Sequence, residues 1–325
     1  MAEMLRAAVI GVGYLGRFHA QKYAALEDVN LVAVVDNNRE RAEAVAAECG
    51  CAALSDYHEL AGKVDLVSVV VNTVSHRDVA GFFLDQGVDV LLEKPITVSL
   101  AEADELLAKA KKKKCILQTG HLERFNPAVR AMRARLDSPA LIETTRVATF
   151  KNRGVDVSVV LDLMIHDIDI ILSMIDAPLK SIAAAGAATV TPNTDTASAW
   201  FEFTNGAVAT LTASRVSPLN ERRMQVLQPG GRFDVNFAER SLFSVQSEGM
   251  KNGQPLLATE EERFDSADAL FDEICAFVGH VRERSRPEVS GEEGRAALAV
   301  ALEVMAQIKA GVASEAFNKF SSAVP

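Results

Sequence analysis

Long apolar runs are missing from this 325-residue sequence, and no stretch approaches the ~18 residues a helix needs to cross a bilayer. The N-terminus also lacks the charged, then apolar, then small-residue order of a secretory leader, so a cytoplasmic protein is expected. Cysteine is scarce. The four present, Cys49, Cys51, Cys115 and Cys275, show neither a disulfide framework nor paired metal-ligand spacing, and no metal site is expected. Cys49-Gly-Cys51 is one residue short of the Cys-x-x-Cys spacing of reactive pairs, which leaves reduced structural thiols.

Positive charge is the second shortage. Lys and Arg total 34 against 44 Asp and Glu, a net charge of -10, so no large basic surface can be assembled for nucleic acid. The one basic run, Lys111 to Lys114, ends a predicted helix, where lysines favour the negative helix terminus. Apolar residues make up 49% of the chain, ordinary for a globular protein, and the length suffices for two domains with sizeable cores.

Up to about residue 120 the chain alternates between two kinds of segment. LRAAVI, NLVAVVD, DLVSVVV, DVLLE and CILQT are short, β-branched and strand-like. Between them, Tyr14 to Leu26, Arg39 to Glu48, His76 to Gln86 and Leu100 to Lys113 have helical spacing. Strands this uniformly apolar are buried on both faces, and strand-helix-strand repetition implies a parallel, doubly wound α/β domain. Residues 1–121 are expected to form it. Residues 122–325 change rhythm. Helices are expected near Pro127 to Leu136 and Val159 to Ile175, with a strand near Ile142 to Phe150 between them. Strand-like runs from Ile182 to Val245, with turn signals at Thr204-Asn-Gly206 and Gln228-Pro-Gly-Gly231, predict an open, mostly antiparallel sheet. Amphipathic helices near Ala267 to Arg284 and Glu292 to Lys309 close this α+β domain.

GVGYLG, residues 11–16, has the spacing G-x-G-x-x-G, follows a strand and opens a helix inside a βαβ unit. Gly11 permits the tight turn, Gly13 lets the backbone approach a pyrophosphate, and Gly16 lets helix and strand pack closely. Asp36 ends the next strand, twenty residues after Gly16, where a ribose-binding acid belongs. A carboxylate there accepts hydrogen bonds from both ribose hydroxyls of NAD and repels a 2′-phosphate, although Arg39 is near enough to blur that choice. A turn in a sheet that binds nothing is the alternative.

Glu93-Lys94-Pro95 lies at the carboxyl end of the DVLLE strand, the edge at which open α/β sheets bind ligands. Pro95 restricts Lys94 to an extended backbone. A solvated turn lysine fits the same spacing. In VVLDLMIHDIDIIL, helical spacing puts Asp162, His166 and Asp169 on one face of a helix that is otherwise apolar nearly all round. Buried charge is expensive, so this stripe needs partners or a ligand. A carboxylate one turn from a histidine can orient it as a general base. A satisfied core network and a metal site are the alternatives; no third ligand is evident for a metal.

These motifs, with the Gly120-His-Leu-Glu-Arg-Phe-Asn-Pro127 junction, resemble the Gfo/Idh/MocA family of nicotinamide-dependent sugar and cyclitol oxidoreductases over nearly the whole chain. The resemblance implies a Rossmann domain followed by an open-sheet domain whose outer face joins a homodimer or homotetramer. It implies catalytic roles for Lys94, Asp162 and His166, with His121 and Arg124 joining those three at the substrate. The cofactor contacts expected for NAD are Gly11, Gly13, Tyr14, Leu15, Gly16, Asp36, Asn37, Asn72, Thr73, His76, Glu93 and Lys94. Many members have two glycines ahead of the catalytic Asp, whereas this chain has Ser158-Val-Val160. The junction and the helix look most like the branch that oxidises UDP-N-acetylglucosamine at C3. Arg124, Arg130 and Lys151 are the cationic candidates for its diphosphate. A non-catalytic NAD-binding sensor, and an enzyme of a free cyclitol or a non-sugar compound such as a linear tetrapyrrole, are the rival readings. Along Thr196 to Phe203, alternation buries Ala197, Ala199, Phe201 and Phe203 and turns Trp200 outward.

Overall fold

The computed structural model describes residues 4–151, 154 and 157–312, which fall into two compact units. The first combines 4–125 with 268–298, and the second combines 126–267 with 299–312.

In the first unit the strands are β1 (Leu5–Ile10), β2 (Val29–Val35), β3 (Ala52–Leu54), β4 (Leu66–Val69), β5 (Asp89–Glu93) and β6 (Leu117–Gly120). They pair in parallel in the order β3-β2-β1-β4-β5-β6. The crossovers carry α1 (Tyr14–Ala24), α2 (Arg39–Cys49), α3 (His76–Asp85) and α4 (Leu100–Lys113). Strand order reverses between β1 and β4, which is where a doubly wound sheet opens its crevice. β4 and β5 are buried along their whole length, as central strands of a parallel sheet covered on both faces are, and the burial includes Ser68, Asp89 and Glu93. The helix starts are written locally: Asn38 and Ser99 accept hydrogen bonds from the Arg41 and Glu102 amides as N-caps of α2 and α4. Lys111, Lys112 and Lys113 occupy the last turn of α4, as expected from the dipole.

The observed division differs from the expected one at residue 122, since the first unit runs on to Phe125 and is not continuous in sequence. The chain returns to the first unit at Asp268. Helix α7 (Ala269–Glu283) packs Ile274, Phe277, Val278 and Val281 into the cluster that holds Ala7, Val9, Leu31, Leu66 and Leu91. Its apolar stripe is plain in the sequence, but a stripe does not say which sheet it covers. The start of α8 (Gly291–Val312) also belongs to this unit: a Cβ on Gly294 would overlap the Thr119 hydroxyl on β6.

The second unit holds an eight-stranded sheet, ordered β14-β13-β12-β11-β7-β10-β9-β8. Its strands are β7 (Leu141–Val147), β8 (Leu179–Ala187), β9 (Thr196–Phe203), β10 (Val208–Ser214), β11 (Glu221–Gln228), β12 (Gly231–Asn236), β13 (Ser241–Lys251) and β14 (Gln254–Arg263). These strands pair antiparallel except for β7 with β10. The long β13–β14 hairpin extends past the expected run, because its outer half is exposed and carries no buried alternation. Helices α5 (Pro127–Arg133) and α6 (Ile165–Met174), with residues 299–312 of α8, complete the unit. In β9 the four expected residues are buried and Trp200 is 48% exposed.

Asp195, without any exposure, anchors the turn ahead of β9. It accepts hydrogen bonds from the Thr189, Val190 and Thr191 amides at 2.8 to 2.9 Å and from the Thr191 hydroxyl at 2.7 Å. Burial opposes its ionisation, but these bonds outweigh burial and hold the carboxyl well below the usual carboxylate range. A depressed folded-state value contributes stability above the unfolded pKa and loses it as pH falls. Asp195→Asn is therefore expected to lower stability at pH 7 by on the order of 1–3 kcal/mol. The gap to the parent should narrow below about pH 4, near the unfolded carboxyl value. Urea melts of both proteins at pH 7 and pH 3 check this, and an equal gap at both would contradict it.

Candidate active site

At the carboxyl edge of the first sheet, β1 turns through Gly11, whose φ of +86° disfavours any other residue. Its N–H donates to the Val35 carbonyl at 2.7 Å. A Cβ there would lie 2.6 Å from the Val70 carbonyl oxygen, and a Cβ on Gly16 would overlap the Gly11 carbonyl oxygen. Both glycines are thus demanded by the fold. Gly13 is not: a Cβ there would meet only the Arg41 guanidinium, at 3.7 Å. It begins α1 with no side-chain cap, so the space and the amides at the helix start face the crevice. Leu15 packs its side chain on the core, so it reaches a ligand only through its main chain. Tyr14 is exposed, its ring edge-on to Phe18.

Asp36 accepts the Val12 amide at 3.0 Å on one oxygen and the Asn38 amide at 2.9 Å on the other. A carboxylate has about four acceptor positions, so capacity for ribose hydroxyls remains. The arginine beside it is Arg41, 3.3 Å from Asp36 Oδ2, and not Arg39, which pairs with Glu43 on the exposed side of α2. Gly11, Gly13, Asp36, Asn37, Arg41 and Asn72 line one cleft of about 530 Å³. Thr73 follows Asn72 into a short 3₁₀ turn at the start of α3. The glycine cradle, the open Gly13 position and the acceptor at the next strand end all fit a bound NAD.

Further along this edge, β5 ends in Glu93, Lys94 follows it, and the Lys94–Pro95 peptide is cis. Lys94 is half-buried. Glu93 Oε2 accepts the Lys94 amide at 3.2 Å. His76 is fully enclosed between two loops, one ring nitrogen 3.1 Å from the Val71 carbonyl and the other 3.0 Å from that of Pro95. Burial lowers its pKa. It ties the turn after β4 to the turn after β5. His121 is buried just past β6. Arg124, a candidate for the diphosphate, is 2% exposed, with Nη2 3.1 Å from the Glu288 carbonyl and 3.7 Å from the Glu293 carboxylate. Arg130 is half-buried on α5 and Lys151 is exposed. The four cysteines are free, and burial pushes the Cys51 and Cys115 thiols up to about 11, which keeps both protonated.

In the second unit the expected helix is two pieces. Val160–Met164 forms a π-helical turn that carries Asp162, and α6 follows with His166 in its first turn. Wide turns of this kind re-aim side chains and recur at functional sites. Ser158, in the stretch where the resembling family often carries two glycines, accepts the Val160 amide at 3.2 Å. Gly154 supplies the close approach instead: φ is +71°, and a Cβ would lie 2.8 Å from Asp162 Oδ2. Arg215 fixes that backbone by donating to the Gly154 and Val157 carbonyls at 2.5 and 2.6 Å.

The buried apolar faces of α6 carry Ile165, Ile168, Ile170 and Ile171. Asp167, which lies off the Asp162–His166 stripe, escapes the sequence pattern. Its carboxylate takes a bidentate pair from Arg146 of β7 at 2.8 and 3.0 Å, both side chains almost fully buried. The Arg146 guanidinium also sits 4.7 Å from the centre of the Phe237 ring. No helical period could identify that partner, which comes from a strand twenty-one residues earlier.

Known proteins match the same segments. Residues 5–121 match the Gfo/Idh/MocA oxidoreductase family, NAD-binding Rossmann fold, and residues 128–234 match the family's C-terminal domain. A UDP-N-acetylglucosamine 3-dehydrogenase from Acidithiobacillus ferrooxidans is 39% identical over 94% of this chain and 98% of its own. Its solved structure superimposes with a TM-score of 0.86, covering 95% of this chain and 99% of that one at 38% identity. A scyllo-inositol 2-dehydrogenase (NAD(+)) from Bacillus subtilis is 27% identical over 100% of this chain and 96% of its own. With both halves matched in order and the glycine cradle, Asp36 and the Glu93-Lys94-Pro95 turn in place, the chain belongs to the Gfo/Idh/MocA family of NAD-binding oxidoreductases.

Proposed function

We propose that this dehydrogenase oxidises the C3 hydroxyl of a UDP-linked N-acetylhexosamine. The observation that carries the reading is the 39% identity, over nearly the whole chain, to a UDP-N-acetylglucosamine 3-dehydrogenase. NAD, when bound, supplies the hydride acceptor. His166 takes the hydroxyl proton as general base, and Asp162 orients the imidazole and offsets the charge it gains. Lys94 donates a hydrogen bond to the reacting oxygen and stabilises negative charge developing on it. Arg130 and Lys151 remain the cationic candidates for the diphosphate, since Arg124 is engaged by Glu288 and Glu293. We place the protein in the cytoplasm, which its unpaired, half-buried cysteines support.

Absorbance of NADH during incubation with UDP-N-acetylglucosamine, free N-acetylglucosamine or myo-inositol tests the substrate. Preference for an unphosphorylated compound would reject the nucleotide sugar. Lys94→Met and His166→Asn are each expected to lower kcat by on the order of 10²–10⁴-fold, with NADH affinity nearly unchanged. A variant that keeps more than about a tenth of the parent rate would reject the role assigned to it.

Asp36 should govern the choice between NAD and NADP. Asp36→Ser frees Arg41 to meet a 2′-phosphate and is expected to move the NADPH-to-NADH affinity ratio by about tenfold, equivalent to roughly 1.4 kcal/mol. Adding Arg41→Ala should reverse the gain. Fluorescence titration with both cofactors measures the ratio, and an unchanged ratio in Asp36→Ser would contradict the assignment.

The outward face of the second sheet we assign to self-association as a dimer or tetramer. Trp200 and Phe243 are 48% and 41% exposed on strands whose alternate residues are buried, and large apolar side chains left bare on a sheet mark an interface. Trp200→Glu is expected to dissociate the assembly. Light scattering that reports a 35.0 kDa species for the parent protein at micromolar concentration would refute it.

A further inference from the structure

Beneath the Glu93–Lys94 turn runs a buried chain of polar side chains that neither the phosphate cradle nor the proposed proton transfer uses. Tyr23 and His19 lie on the inner face of α1, Ser68 lies in β4, and Glu93 closes β5. The Tyr23 hydroxyl is 3.0 Å from Ser68 Oγ, and Ser68 Oγ is 3.2 Å from His19 Nδ1. His19 Nε2 is 3.3 Å from Glu93 Oε1, and Glu93 Oε2 accepts the Lys94 amide. Tyr23, His19 and Ser68 have no exposure, and Glu93 has 7%.

Hydrogens can be assigned to the two hydrogen bonds that lead from Tyr23 to His19, while His19 Nε2 stands 3.3 Å from Glu93 Oε1 as a close polar contact without hydrogen-bond alignment. Glu93 as a carboxylate only accepts, so the proton of a neutral His19 belongs on Nε2. Nδ1 then accepts from the Ser68 hydroxyl, which accepts from Tyr23. Burial pushes the Tyr23 phenol up, so it stays a donor. Both hydrogen bonds run toward His19, whose other ring nitrogen faces Glu93. Gly120 seals the other side: a Cβ there would lie 2.8 Å from Glu93 Oε1. The carboxylate is packed between His19 and Gly120, and through Oε2 it accepts the amide of Lys94, on the main chain from which the Lys94 side chain departs.

We propose that His19 is a positioning residue for Lys94, acting through Glu93 and itself held by Ser68 and Tyr23. The arrangement also couples the helix that opens at the phosphate cradle to the lysine at the end of β5. The proposal rests on the reading that Lys94 acts at the reacting oxygen.

His19→Leu keeps bulk and removes both the Ser68 hydrogen bond and the polar contact with Glu93, whereas His19→Gln retains a donor and an acceptor. His19→Leu is expected to lower kcat by about 10- to 100-fold with little change in KM for either substrate, as loss of an outer hydrogen-bond partner does. His19→Gln should recover most of the rate. Ser68→Ala removes one link without bulk and should act in the same direction by a smaller factor, which keeps the test decisive should His19→Leu fail to fold. A second readout needs no turnover: amine acylation of Lys94, followed by mass spectrometry, should be faster in His19→Leu and Ser68→Ala than in the parent and near parent in His19→Gln. Parent-like kcat and parent-like Lys94 labelling in His19→Leu or in Ser68→Ala would overturn the proposal. So would a His19→Gln variant as impaired as His19→Leu. If the parent protein turns over no UDP-sugar, the substrate reading fails while the labelling still decides the role of His19.

Discussion

Main chain touching main chain at Gly11, Gly16 and Val70 is the constraint on which the nucleotide end of the first unit depends. A side chain at Gly16 would overlap the Gly11 carbonyl, and one at Gly11 would overlap that of Val70. The turn from β1 into α1 is therefore drawn down against the end of β4, the place where strand order reverses. With α1 held there, its first amides meet whatever occupies the crevice, and Asp36 at the end of β2 receives the Val12 amide. Gly13, which the protein's own packing leaves free, is the position where a ligand explains the residue and the fold does not.

Around this framework each unit solves the same problem, the placement of charge inside an apolar core. An uncompensated buried charge costs several kcal/mol, so such groups are met here by specific partners. Asp167 is paired with Arg146, Asp195 with a ring of amides and the Thr191 hydroxyl, and Glu93 with His19 and the Lys94 amide. The partners do more than offset charge. They tie segments that carry candidate functional side chains to rigid elements: α6 to β7, the Lys94 turn to α1, and, through Arg215, the backbone at Gly154 that lies against Asp162. Lys94 and Asp162 stand next to these anchors and are not themselves the anchors.

The amino-acid sequence alone determined the parallel sheet, the glycine turn and Asp36, the Glu93-Lys94-Pro95 turn after β5, the helix α6 that carries His166, and the alternation that leaves Trp200 outside. All are local: a period of two or 3.6, or a spacing of a few residues along one strand and turn, reports the environment of each residue directly. What tertiary structure decided is where one segment meets another far away in the chain. Helix α7 carries an apolar stripe that could cover either sheet, and only packing assigns it to β1 and β4. Arg124 reads as an exposed cation until Glu288 and Glu293 are brought beside it, and Arg41, not Arg39, is the arginine that the turn of α2 delivers to Asp36. The π-helical turn at Asp162 and the buried line from Tyr23 to Glu93 leave no periodic trace either. Their partners lie on separate strands and helices, and hydrogen bonds across such distances in sequence exist only once the core has closed.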